Sequence, residues 1–280
     1  MVTPPWISMF VDVLMGAWAG VAAWLLTKRM GNRVVAGAIV ATMVVASGAV
    51  GHQLIAPRAR HWWIWHDIHT AGMTLFGNEH TAAAYADAVV PILEEPIFQE
   101  KLRALAKTPA TPAGPDGDDV FKQVGAKLVS AGMARLPGAD VIAIVGVRRA
   151  LAGMSTELCD AFWTGKITQP VLVDGLKRLK ERDQMIWASV TARALALEVH
   201  AVDPPPHLKG ADAEGAMSAL LRALPADRRA VLQKAFATPD LSAEGGCQAF
   251  RIFADGSTDL EPAVREALYR SVDHPELVDR

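Results

Sequence analysis

The sequence predicts an all-α protein, in which an N-terminal two-helix transmembrane hairpin precedes a multi-helix soluble domain. Two apolar segments of membrane-spanning length lie before residue 57, and from about residue 81 apolar residues recur at helical spacing. The mean hydropathy is +0.19, and most of the apolar excess falls in the first 56 residues. We therefore expect a hairpin over 1–57, an interfacial junction over 58–80 and a helical soluble region over 81–280.

The hairpin consists of two spans, at about 6–26 and 34–56. Each has roughly the 20 apolar residues that an α-helix needs to cross a bilayer. A cleaved signal peptide is the main alternative for the first span, but it would need a basic stretch before its apolar part, and no Lys or Arg precedes Lys28. A buried soluble hairpin is the other alternative, and it would show a polar stripe that neither segment has.

Small residues recur four apart within the spans, and this spacing lets helix backbones approach closely in lipid. The residues are Gly16, Gly20, Gly37, Ala41, Ser47 and Gly51. Their faces either pack the hairpin against itself or mediate self-association in the bilayer. Asp12 is the one formal charge in the first span, and a proton pathway would need more than one such residue.

The orientation of the hairpin depends on its basic residues, which are retained on the cytoplasmic side. The loop between the spans carries Lys28, Arg29 and Arg33, whereas Arg58 and Arg60 follow the second span and none precedes the first. The balance favours a cytoplasmic loop. We expect an integral protein of a bacterial inner membrane, with the C-terminal region in the periplasm.

The junction after the second span is rich in tryptophan and arginine, which favour the headgroup level of a bilayer. The predicted anchor residues are Trp62, Trp63, Trp65, Arg58 and Arg60.

Two histidines in the same stretch suggest an alternative role. His66 and His69 are three residues apart and would share a helix face, so they could bind a transition metal or a haem with Asp67 or His80 nearby. No Cys-x-x-Cys-His or His-Glu-x-x-His pattern accompanies them.

The first part of the soluble region reads as successive helices. Thr81 is the expected cap of a helix that Pro91 interrupts, and a second helix is expected over 96–106. The turn-rich stretch at 108–118 is a candidate domain boundary, and a helix is expected over 119–136. The apolar segment at 141–147 fits either a buried strand or a core helix, and helix is favoured because no partner strand is visible.

The second part is expected to begin with the longest helix, from Pro170 to about His200. A Pro-rich break within 203–211 is a second candidate boundary. Four short helices are then expected near 212–224, 226–237, 242–254 and 261–272, with Asp212 and Ser242 as N-caps and Pro225 and Pro262 at first-turn positions.

The two cysteines share a local pattern, since Cys159-Asp-Ala-Phe162 and Cys247-Gln-Ala-Phe250 both read C-x-A-F. On a helix this spacing puts each Cys and Phe on one face, pointing inward. Outside the cytoplasm the pair would form one disulfide, and inside it would be two inert thiols. A catalytic thiol would need a basic neighbour or a Cys-x-x-Cys motif, and neither is apparent.

The composition and motifs narrow the function by exclusion. A net charge of −2 and the lack of a basic patch argue against nucleic-acid binding. No nucleotide-binding loop, nucleophile elbow or zinc pattern is found. We expect a non-enzymatic, membrane-anchored interaction module of the cell envelope, with the bilayer and another protein as partners, an assembly or regulatory role and no cofactor. The alternatives are the metal- or haem-binding protein and an envelope hydrolase with a non-contiguous site.

Overall fold

A computed structural model of the chain describes residues 56–106, 117–201, 203, 206–238 and 241–279. The regular structure of these residues is helical except for one pair of short strands. The predicted all-α class is therefore confirmed for the described residues. The predicted spans lie outside the described residues, apart from Ala56, and so do the small residues of their packing pattern.

Twelve α-helices are present over the described residues, and each is numbered here in chain order. They are α1 (Ala56–Phe76), α2 (Glu79–Glu94), α3 (Pro96–Ala106), α4 (Gly117–Met133), α5 (Gly138–Ala152), α6 (Thr156–Thr164), α7 (Gln169–Arg178), α8 (Glu181–Val199), α9 (Gly210–Ala223), α10 (Ala226–Ala237), α11 (Ala243–Gly256) and α12 (Pro262–Asp273). The strands β1 (Leu208–Lys209) and β2 (Val278–Asp279) pair in parallel. A short 3₁₀ turn, Pro275–Leu277, directly precedes β2.

The start of α2 differs from the prediction. Asn78 is the N-cap, and its side chain accepts a hydrogen bond of 2.9 Å from the backbone N–H of Thr81, which is itself buried. Pro91 lies inside the helix and does not interrupt it. Pro91 is on the exposed face of the helix, while the neighbouring Val90 and Ile92 are buried in the core. The packing of these two neighbours offsets the hydrogen bond that proline removes, and the helix continues through residue 91.

The single long helix expected from Pro170 to His200 is wrong, because α7 ends at Arg178 and α8 begins at Glu181. Leu179 adopts an extended conformation between them and is buried. The side-chain amide of Gln184 donates a 2.9 Å hydrogen bond to the backbone carbonyl of Leu176. A side chain from α8 thus helps to satisfy a carbonyl at the end of α7, which allows the chain to turn there.

The later helices follow their predicted bounds closely. The Ser242 side chain caps α11 by accepting a hydrogen bond from the backbone N–H of Gly245, 3.2 Å, as predicted. The cap predicted at Asp212 is wrong, because α9 begins at Gly210, directly after β1, and Lys209 occupies the cap position. The segment 141–147 is helical, within α5, as favoured.

The described residues from Ile68 onward form one compact unit. Within this unit α8 packs against α2 and α4, α6 against α11, and α12 against α5 and α9. The largest apolar cluster combines residues from both sides of 203–211, among them Leu136, Ile144, Leu220, Leu232, Phe253 and Leu268. Helices on either side of that break therefore share one core.

None of the described helices is by itself long and apolar enough to cross a bilayer. The segments Gly125–Met133 and Gly138–Ala152 reach that length and composition only together, and they are bent by 115°.

Candidate functional site

The two cysteines form a disulfide, which confirms the predicted pairing. Cys159 is in α6 and Cys247 in α11, and their Cα atoms lie 4.7 Å apart. Both residues are buried. The phenylalanines of the two C-x-A-F patterns meet as well, because Phe162 and Phe250 stack with ring centroids 5.7 Å apart. A covalent bond and an aromatic contact thus join α6 to α11 one helical turn apart.

A cavity of about 600 Å³ lies beside this junction. Helices α5, α6, α10, α11 and α12 contribute to its wall, and we call it the aromatic groove. Six of the eighteen Phe, Trp and Tyr residues of the chain line it, namely Phe162, Trp163, Phe236, Phe250, Phe253 and Tyr269. Its volume falls in the range of roughly 300 to 1,000 Å³ that is typical of ligand pockets.

The aromatic rings of the groove contact one another in pairs. Trp163 and Phe236 have ring centroids 5.1 Å apart, and Phe253 and Tyr269 meet edge to face at 5.4 Å. The Tyr269 hydroxyl is hydrogen-bonded to the buried hydroxyl of Ser257. Desolvation by burial raises the pKa of Tyr269 above its ordinary value, although the hydrogen bond with Ser257 and the charge of Arg265 oppose the shift.

Two carboxylates and two cations also line the groove: Glu157, Asp160, Arg148 and Lys166. The Arg148 guanidinium forms a 2.5 Å ion pair with Asp273. Asp160 is different, because its Oδ1 is buried and has no hydrogen-bond partner among the residues that the structure describes.

Asp160 has a close neighbour in Gly246. A Cβ atom at position 246 would lie 2.2 Å from Oδ1 of Asp160, so only glycine leaves room for the carboxylate in its present position. Because a buried polar atom without a partner is unfavourable, this oxygen is the most unusual feature of the groove.

The rim of the groove is apolar and reaches solvent. Phe236 is 48% exposed and Val272 is 39% exposed, and both line the groove. Exposed large apolar side chains that adjoin a cavity are typical of a binding surface. The groove therefore offers an apolar surface that is open to solvent at its rim.

The residues predicted from sequence as metal ligands each have other contacts. The His66 ring stacks on Trp62 with centroids 5.5 Å apart, and the Nε2 of His69 lies 3.0 Å from a carboxylate oxygen of Glu79. The Nδ1 of His80 lies 2.6 Å from Glu181. In the part of the chain that the structure describes, no group of three or more His, Cys, Asp or Glu side chains is arranged to hold a metal ion. Metal or haem binding at His66 and His69 stays a prediction.

The predicted interface anchors belong to the first turns of α1. Trp62 is 60% exposed and Trp63 is 37% exposed, whereas Trp65 is partly buried. Arg58 is exposed and Arg60 is partly buried. Their contact with lipid stays a prediction.

Most of the groove was not predicted from sequence. Asp160 lies within the C-x-A-F pattern of α6, but nothing in that pattern indicates a role for it. Trp163, Phe236 and Tyr269 have no motif around them, and they line one groove only because α6, α10 and α12 converge. The repeated C-x-A-F pattern is the signal that the sequence does contain, since it marks the two helices that form one wall.

Fold and groove together define a disulfide-braced helical protein with an aromatic-lined cavity. Comparison with known proteins finds no matching family model, no similar protein of curated function and no similar solved structure.

Proposed function

We propose that the protein is a membrane-tethered, non-enzymatic interaction module of the cell envelope that binds another protein through the aromatic groove. The observation that carries the proposal is the exposed apolar rim, Phe236 and Val272, beside a cavity with aromatic walls. Aromatic side chains at the centre of a concave surface are the commonest energetic anchors of protein interfaces. The partner would serve assembly or regulation.

Two further features support the location. The apolar segments at 6–26 and 34–56 have the length and composition of a transmembrane hairpin, with Trp62, Trp63 and Trp65 following them as interface anchors. The disulfide between Cys159 and Cys247 suits an oxidising compartment, in agreement with a periplasmic C-terminal region.

Site-specific photo-crosslinking in cells tests the binding surface. A photoreactive phenylalanine analogue replaces Phe236 in the full-length chain, and a matched variant carries it at Lys234, which is exposed on another side of α10. We expect a discrete crosslinked protein from position 236 and none from position 234. Equal crosslinking from both positions, or from neither, contradicts the proposal.

A topology reporter fused after residue 280 tests the tether. Activity of a reporter that functions only in the periplasm is the expected result, together with retention of the fusion in the membrane fraction. A cytoplasmic reporter signal contradicts the orientation, and release of the chain by carbonate washing contradicts the hairpin.

A further inference from the structure

We infer that the Cys159–Cys247 disulfide is a redox switch for the aromatic groove, and that a dithiol reductant operates it by attack on Cys247. The inference rests on the proposed function, because it names what regulates binding at the groove. Three observations carry it: the access to Cys247, the position of the bond one helical turn from the groove, and the way α6 is held.

The two cysteines differ in their access to solvent. A second cavity, of about 540 Å³, lies beside α10 and α11 and is lined by Cys247, and we call it the disulfide cavity. Cys247 has an exposed fraction of 4%, whereas that of Cys159 is 0%. The disulfide cavity is open to water, because its lining includes the exposed residues Arg228, Glu244, Gln248 and Arg251. A reductant can therefore approach the bond from the Cys247 side.

The reduction is a thiol–disulfide exchange. A thiolate of the dithiol attacks Sγ of Cys247, the bond between the two protein sulfurs breaks, and Cys159 leaves as a thiolate that takes up a proton. The second thiolate of the reductant then displaces Cys247, which also takes up a proton, so two electrons pass to the protein and the reductant becomes a disulfide. The backbone carbonyl oxygen of Cys247 lies 3.2 Å from Sγ of Cys159, so the thiol formed on Cys159 has an acceptor for its hydrogen.

The bond is coupled to the groove through α6 and α11. Phe162 and Phe250 follow the two cysteines by three residues, stack on each other and line the groove. Two thiol sulfurs cannot stay as close as two bonded ones, so reduction moves the two helices apart at this point. The packing beside the bond has no room to absorb the movement, since a Cβ atom at Gly246 would lie 2.2 Å from Oδ1 of Asp160. The movement therefore reaches the stacked rings one turn away.

The way α6 is held allows it to move as a unit. It has nine residues and packs mainly against α11, with further contacts to α5 and few to α7. It ends at Gly165, whose φ of 69° is left-handed, and a glycine in that conformation lets the chain change direction. The buried Oδ1 of Asp160 has no hydrogen-bond partner among the described groups, which is unfavourable while α6 lies against α11. A shift of α6 away from α11 gives this oxygen access to water.

The first test asks whether the bond is reduced in the folded protein. The full-length chain in a non-ionic detergent is treated with dithiothreitol, and the loss of the disulfide is followed by thiol alkylation and mass measurement. We expect a rate proportional to the dithiothreitol concentration that changes by less than about twofold in 1 M urea. Reduction only through global unfolding would accelerate by at least about fivefold in 1 M urea, and that result overturns the inference.

Charge-reversal variants locate the attack. Two arginines and three carboxylates line the disulfide cavity, and one of these carboxylates, Asp255, is paired with Arg149 at 2.6 Å. Arg251→Glu makes the cavity acidic one turn from Cys247, and we expect it to slow reduction at least about threefold by repelling the thiolate. Arg182→Glu, at an exposed position on α8, is the matched control and should leave the rate unchanged. Equal rates in the two variants overturn attack from the disulfide cavity.

The second test measures the response of the groove. The protein is labelled with 5-fluorotryptophan, and the ¹⁹F signals of Trp163 on α6 and Trp187 on α8 are assigned with the variants Trp163→Phe and Trp187→Phe. We expect reduction to shift the Trp163 signal, to leave the Trp187 signal in place and to preserve at least about nine-tenths of the far-ultraviolet ellipticity. An unchanged Trp163 signal overturns the inference. Collapse of the ellipticity also overturns it, because the bond is then a brace for the whole fold.

Crosslinking separates the switch from the proposed function. In isolated membranes we expect dithiothreitol to weaken the crosslink from position 236 at least about threefold, because the partner binds the oxidised groove. If the crosslink is equally strong after complete reduction, the inference fails and the proposed function stands. If no crosslink forms in either state while the Trp163 signal still responds to reduction, the proposed function fails and the redox response of the groove stands.

Discussion

Phe162 and Phe250 stack with ring centroids 5.7 Å apart, and each lies three residues after one half of the Cys159–Cys247 disulfide. The stack and the disulfide fix the separation of α6 and α11 at two successive turns. Both rings also line the aromatic groove. The same contact therefore stabilises the fold and holds one wall of the aromatic groove in place, which would lower the entropic cost of binding the proposed partner there.

Removing the disulfide should lower stability substantially. The bond joins residues 88 apart in sequence, and the chain-entropy model assigns a loop of that length about 4 to 5 kcal/mol. We expect the double variant Cys159→Ala/Cys247→Ala to lose roughly that much free energy of unfolding, measured by urea denaturation. A reducing agent should lower the stability of the original protein and leave that of the double variant unchanged. A loss well under about 1 kcal/mol would show that the helices hold together without the bond.

Asp160→Asn should raise the free energy of unfolding. The buried Oδ1 of Asp160 has no partner among the described groups, so the carboxylate is held at a cost in the free protein. We expect the free energy of unfolding to rise by up to about 1 kcal/mol, since a neutral amide is less costly to bury. A clear loss of stability would mean that Asp160 has a structural role, and it would contradict this account of the groove.

The sequence predicts those helices whose ends have local signals, such as the Ser242 cap of α11 and Pro96 at the start of α3. It does not predict the break between α7 and α8, because Leu179 is neither Gly nor Pro. The contacts around the break include residues that are distant in sequence, such as the hydrogen bond from Gln184 to Phe76. The same holds for the groove. Phe162 and Phe250 belong to a repeated pattern that is visible in the sequence, but Trp163 and Phe236 come into contact only because α6 and α10 lie beside each other in the fold.

Gly132 should be intolerant of any side chain. A Cβ atom there would lie 1.9 Å from the backbone carbonyl oxygen of Ala194, where α4 approaches α8 closely. Because backbone cannot move aside cheaply, we expect Gly132→Ala to lower the free energy of unfolding by about 2 kcal/mol or more. Gly125 is the matched control in the same helix, since nothing lies within 4 Å of its Cβ position. Gly125→Ala should raise stability by about 0.5 to 1 kcal/mol, and a similar effect from both substitutions would contradict the close approach.

Gln184 should be one of the most sensitive polar residues in the fold. Its buried amide donates 2.9 Å hydrogen bonds to the backbone carbonyls of both Phe76 and Leu176, and its oxygen accepts one of 3.4 Å from Thr81. We expect Gln184→Leu to lower the free energy of unfolding by about 3 kcal/mol, because two carbonyls lose this donor in the core. The exposed Gln233 provides the control, and Gln233→Leu should change stability by less than about 0.5 kcal/mol.

The two tyrosines of the chain should make stability fall at high pH. Desolvation by burial raises the pKa of both Tyr85 and Tyr269 above the ordinary value of 10.0. Both phenols therefore stay protonated in the folded state at a pH where the unfolded state has begun to lose its protons. The two protonated phenols make their full contribution to the free energy of unfolding below about pH 10. That contribution is lost as the pH rises through their folded-state pKa values.

The near-ultraviolet absorbance of tyrosinate measures this directly. In the folded protein we expect little tyrosinate at pH 10.0, whereas in denaturant half of the tyrosine should be ionised there. The variant Tyr269→Phe isolates Tyr85, whose raised pKa has desolvation as its single cause, so its titration should still fall above that of the denatured chain. Coincident titration curves for the folded and denatured protein would show that the rings are open to water, and the edge-to-face packing of Phe76 on Tyr85, 5.8 Å between centroids, would then not persist in solution.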